Sequence, residues 1–184
     1  MPVIADWAAT AMFVIFAVAF LAKARSVSAF DDFAASLSQF GVRSIGGQRL
    51  LAAGVLLLEA LACAGLALLV HHPFARFVLP VILLLGFSVG VALSARAGQL
   101  TACHCFGTST QLPAPAHLAL NCALAALGCL AVVADGSAGT AGDTVLGIGL
   151  GVITGVLFAA SADLYLALST GGAAGRRAVS ERVN

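Results

Sequence analysis

Two thiols flank an imidazole in the stretch Thr101-Ala102-Cys103-His104-Cys105-Phe106-Gly107. Cysteines one residue apart close only a small, strained disulfide, and strain makes such a bond easier to reduce, so the pair suits thiol-disulfide exchange better than a permanent staple. His104 between them and Arg96 upstream supply positive charge that favours the thiolate, the form that attacks. The spacing does not say which of Cys103 and Cys105 attacks first. The same atoms admit a second chemistry, because Cys103, His104, Cys105 and His117 are ligands suited to zinc or copper(I). One C-x-C is half of a four-ligand set, however, and no second C-x-C follows. A third reading leaves both cysteines as small apolar residues in a loop.

The other chemistry-bearing residues stand inside apolar runs. Glu59 falls at the middle of one, from Leu50 to Val70. An ionised carboxylate there must face the interior of a bundle and find a partner or carry a proton, and Lys23, Arg96 and His117 are the candidate partners. Cys63 follows one turn further along the same face. His117 and Asn121, four residues apart, share a face of a later run, and Asn121 is suited to an interhelical hydrogen bond. Asp6 and Asp163 are nearer the ends of their runs, where solvent or headgroups account for them. Cys63, Cys122 and Cys129 read as inert packing.

These residues need helices that live in lipid. The 184 residues are 61% hydrophobic and 9% charged, with a mean hydropathy of +1.06. That leaves too little polar surface to cover a water-soluble domain. The net charge of +1 and the scattered arginines argue against nucleic acid as a partner. About 20 apolar residues of helix cross a bilayer core, and five runs qualify: Ile4 to Ala22, Leu50 to Val70, Phe77 to Ala95, Ala116 to Ala134 and Val145 to Leu168. Ala22-Lys23-Ala24 loosely resembles a cleavage site, but the leading residues lack a positive n-region, so the first run is expected to be retained.

Between the first two runs, Phe30, Phe33, Leu37 and Phe40 recur at helical spacing over residues 27–41. Ser28 and Asp31 resemble a capping box at its start. This short amphipathic helix is expected either to lie in the membrane interface or to pack its apolar stripe against the bundle. His71-His72-Pro73 marks a tight turn, and residues 98–115, ending in Pro113-Ala114-Pro115, form the loop that carries the cysteines. Asp135 to Asp143 reads as an exposed loop and Gly171 to Asn184 as a polar, basic, disordered tail. Lysines and arginines gather on one side (Lys23, Arg25, Arg43, Arg49, Arg96, Arg176, Arg177 and Arg182), against Arg76 on the other. The positive-inside bias therefore places the N-terminus outside, and the C-terminus and cysteine loop at the cytoplasmic side.

In their order, Lys23, Phe30 to Phe40-Gly41, Leu57-Leu58-Glu59, Gly86-Phe87-Ser88, Arg96-x-Gly98 and Cys103-x-Cys105-Phe106-Gly107 resemble the MauE family of methylamine utilisation membrane proteins, within the wider DoxX-like group. The resemblance covers about residues 10 to 134, and the C-x-C-F-G loop after the third span is its most specific piece. Two positions depart from the family pattern: His104 stands where glycine is commoner, and Leu120 precedes Asn121 where arginine is frequent. The resemblance implies an all-α polytopic protein with a four-helix bundle over 1–134; the fifth transmembrane run and basic tail over 135–184 lie outside that core. It also implies a redox accessory of the plasma membrane that supports maturation of an exported, disulfide-rich enzyme of the methylamine dehydrogenase type, beside a thioredoxin-like partner, MauD. Cys103 and Cys105 would then be a redox-active disulfide needing no other cofactor, with Lys23, Glu59 and Arg96 as the polar set. Metal handling, small-molecule transport through the Cys/His cluster, and a non-catalytic scaffold are the alternatives.

Overall fold

The structure is a computed structural model and describes residues 2–96, 114–134 and 140–160. Among these, every regular element is helical. Five helices are long and apolar enough to cross a membrane: α1 (Pro2–Ala24), α3 (Ile45–Leu68), α4 (Pro73–Arg96), α5 (Ala114–Ala134) and α6 (Ala141–Ala160), with α2 (Val27–Ser36) between the first two. Their starts follow local chemistry. Ser44 caps α3 by accepting from Gly47 N at 3.2 Å, and Pro73 and Pro115 stand in the first turns of α4 and α5, where a missing N–H costs nothing. The apolar runs thus set the helices, whose starts precede them: α3 begins five residues before Leu50, though it ends at Leu68 rather than Val70, and α4 begins four before Phe77.

Successive spans alternate in direction, and α1 packs on α3, α3 on α4, α4 on α5 and α5 on α1, closing a ring with α3 and α5 diagonal. Met12, Ile15, Phe16, Leu66, Phe77, Leu84 and Leu124 fill its centre. Leu57, Leu61, Ile82, Leu85, Val89, Leu130 and Val133 point outward, the arrangement expected of a bundle whose outer solvent is lipid. The chain is a multi-pass membrane protein.

The amphipathic stretch takes the second of its two expected placements. Phe33, Ala34 and Leu37 are buried against Ala52, Val55 and Leu56 of α3, so the stripe belongs to the bundle. Its helix starts one residue before the expected capping box. The cap is Ser26, whose hydroxyl accepts from Ala29 N at 3.1 Å, and Asp31 instead pairs with Arg49 at 3.0 Å on the surface. After α2 the backbone tightens into a 3-10 turn, Leu37–Phe40, ended by Gly41 at φ 84°, a left-handed position that favours glycine.

α6 joins the ring from outside, along α1. Gly147, Gly151 and Gly155 place bare backbone against it: a Cβ at Gly151 would stand 2.5 Å from Thr10 Cβ and 2.8 Å from Trp7 O, and one at Gly155 2.6 Å from Val14 Cβ. Small residues every fourth position let two membrane helices approach this closely. Trp7 Nε1 donates to Thr154 Oγ1 at 3.0 Å and fixes the register.

Candidate functional site

A buried ion pair joins the last turn of α1 to the middle of α3. Lys23 Nζ donates to Glu59 Oε1 at 2.7 Å and to Ala19 O at 3.2 Å, with the two side chains 1% and 0% exposed. The lysine can do this because its stem lies back along its own helix, carrying the ammonium toward the bundle centre. Phe33 of α2 offers its ring face to the ammonium at 5.0 Å, a further stabilising contact for a desolvated cation. Of the three candidate partners for Glu59, Lys23 is in contact with it. Arg96 is exposed at the end of α4, and His117 is buried on α5.

Glu59 Oε2, Asn121 Oδ1 and Ser94 Oγ are buried and lack a hydrogen-bond partner among the described residues. Asn121 and His117 share the inward face of α5 as their spacing requires. Ser88, also buried, turns its hydroxyl back to Leu84 O at 2.8 Å. Cys63 is half-buried against the core, whereas Cys122 and Cys129 are exposed on the outer face of α5 rather than packed inside. Among the described residues no three His, Cys, Asp or Glu side chains gather as a metal site.

Comparison with known families decides the class. A family model described as methylamine utilisation protein MauE matches residues 1–134, from α1 through the end of α5. The chain belongs to the MauE family. It is thus a membrane protein associated with methylamine utilisation. Among curated proteins and among solved structures, nothing matches.

The MauE match includes Cys103, His104 and Cys105, which lie outside the described residues, as do Asp163 and the basic tail. The attachment points of the cysteine segment are described. Arg96 ends α4 and Ala114 begins α5, and with alternating spans both stand at the end of the bundle where α1 finishes with Lys23. At the opposite end lies a second polar contact, only partly signalled in the sequence. Arg76 is buried and donates from Nε to Leu66 O at 2.9 Å, with Nη1 4.0 Å from Asp6 Oδ1. Asp6, expected among headgroups, is 21% exposed and faces this guanidinium. The recognisable signal was there in part: a carboxylate and an arginine each one turn inside the same end of the membrane.

Proposed function

We propose that this MauE-family protein is a thiol-disulfide redox accessory in which Cys103 and Cys105 cycle between dithiol and disulfide. The observation that carries the reading is the family match running through the C-x-C loop. The bundle supports it by anchoring both ends of that loop, at Arg96 and Ala114, on helices α4 and α5, which pack against each other. In the exchange, a Cys103–Cys105 disulfide takes two electrons from a dithiol. A thiolate of the dithiol attacks one sulfur, the mixed disulfide resolves, and the substrate leaves as disulfide while the pair is left as two thiols. A thioredoxin-like partner of the MauD type reoxidises the pair with its own disulfide, and the beneficiary is an exported, disulfide-rich enzyme. Lys23 and Glu59 position α1 against α3 beneath this end, and His104 and Arg96 favour the thiolate.

The charge bias favours the cytoplasmic side of the plasma membrane for this end; service to an exported enzyme then requires a relay of electrons across the bundle, or the inverted orientation. Lys23 and Arg76 are buried in the bundle and drop out of the count, which leaves Arg25, Arg43, Arg49 and Arg96 exposed at the cysteine-loop end.

Trapping tests the exchange. With Cys105→Ser or Cys103→Ser, one of the two variants is expected to accumulate a mixed disulfide, visible as a reducible band of higher mass containing a thioredoxin-like protein. Both variants are expected to lose maturation of the dependent enzyme. Full maturation by the double Ser variant would instead establish a scaffold, and copper or zinc copurifying only when both cysteines are present would establish metal handling.

A further inference from the structure

The buried polar groups fall into a single layer. Gly128 of α5 approaches α1 and α4 so closely that a Cβ there would stand 2.7 Å from Met12 Cε and 2.9 Å from Val81 Cγ2, which sets these three residues at one depth. Seven residues make roughly two helical turns, about 10 Å, and return to the same face. Seven residues from Met12, Val81 and Gly128, each toward the Lys23 end, come Ala19, Ser88 and Asn121. Ala19 O accepts from Lys23 Nζ, and the same ammonium holds Glu59 Oε1. The ion pair, Ser88 and Asn121 therefore share a depth in the bundle interior.

The groups of this layer do not balance. Lys23 donates to Ala19 O and Glu59 Oε1, and the Ser88 hydroxyl donates to Leu84 O. Glu59 Oε2 and Asn121 Oδ1 are left as buried acceptors that receive from none of the described residues. They come from α3 and α5, the two helices diagonal in the ring, and both side chains are buried within it. Buried acceptors are ordinarily satisfied by protein or by ordered water. Lys23 and Glu59 cancel in charge, so a neutral molecule with two donors suits the layer better than a cation.

We propose that the Lys23–Glu59–Ser88–Asn121 layer is a binding site for water, held by donating one hydrogen bond to Glu59 Oε2 and one to Asn121 Oδ1. The site is independent of the thiol chemistry proposed above. A hydrated layer gives Glu59 a proton-exchanging neighbour inside an otherwise apolar core.

Radiolytic hydroxyl-radical labelling in water enriched in oxygen-18 tests it on the full chain in phosphatidylcholine nanodiscs. A bound water activated in place oxidises the side chains beside it even where bulk solvent does not reach. Phe16 and Leu124, each three residues from the layer positions Ala19 and Asn121, are the reporters, and the equally buried Phe77, near the opposite end of α4, is the control. The expected result is oxygen-18 incorporation at Phe16 and Leu124 but not at Phe77, with loss of the reporter signal in Asn121→Leu and Asn121→Val while Phe77 stays unlabelled. Reporters labelled no more than Phe77 in the wild-type protein, or labelled equally in the folded variants, overturn the proposal. If neither variant folds, the wild-type contrast decides.

Discussion

Lys23 and Glu59 make the bundle's most consequential single contact, because each is almost wholly out of water and each neutralises the other. Removing one partner leaves an uncompensated buried charge, at a cost of about 3–5 kcal/mol, whereas replacing both with apolar residues of similar volume is close to neutral. Lys23→Met or Glu59→Leu alone is therefore expected to lower stability by that amount, and the double variant to recover most of it, as read by denaturant unfolding in nanodiscs. The surface pair Arg49–Asp31, 58% and 38% exposed, is the contrast. Asp31→Ala is expected to cost less than about 1 kcal/mol. The sequence made Glu59 conspicuous, since a mid-span carboxylate needs a reason. Its partner was one of three candidates, because Lys23 at a helix end reads equally well as a residue reaching for headgroups. Only the direction of its stem along α1 separates the two.

At the scale of elements, hydropathy located all five spans, since a membrane demands apolar length and little else. The same demand hid how they pair. Inward and lipid-facing residues are alike apolar, so which faces meet is carried by small residues and by polar contacts that hydropathy does not weigh. Gly147, Gly151 and Gly155 are the example: they recur every fourth residue and dock α6 on α1. Gly151→Leu is expected to push α6 off α1 and shift the fluorescence emission of Trp7, the chain's one tryptophan, by breaking its bond to Thr154. Gly149→Leu is expected to leave the emission unchanged, because a Cβ there meets nothing within 4 Å. For α2, the period of Phe30, Phe33 and Leu37 was legible. Its docking on α3 depended on Ala52, small enough to admit it.

Across the whole molecule, the ring of α1, α3, α4 and α5 carries polar contacts near both ends, with an apolar centre between them. Lys23–Glu59 lies toward the end where the cysteine segment is attached, and Arg76 with Asp6 and Leu66 O lies at the other. The family match covers this ring and stops at the end of α5, so α6 is an addition to the family core laid along its outer face. Cys103 and Cys105 are proposed to form a reversible disulfide at the Lys23 end, and one labelling measurement tests it. Cys63, Cys122 and Cys129 are changed to Ser, and a membrane-impermeant maleimide is applied to intact and to permeabilised cells, with and without prior reduction. Labelling of both cysteines only after reduction is expected, and only in permeabilised cells if the exposed arginines set the orientation. Labelling after reduction in intact cells would keep the disulfide and invert the orientation, whereas free thiols that label without reduction under every condition would contradict the redox account.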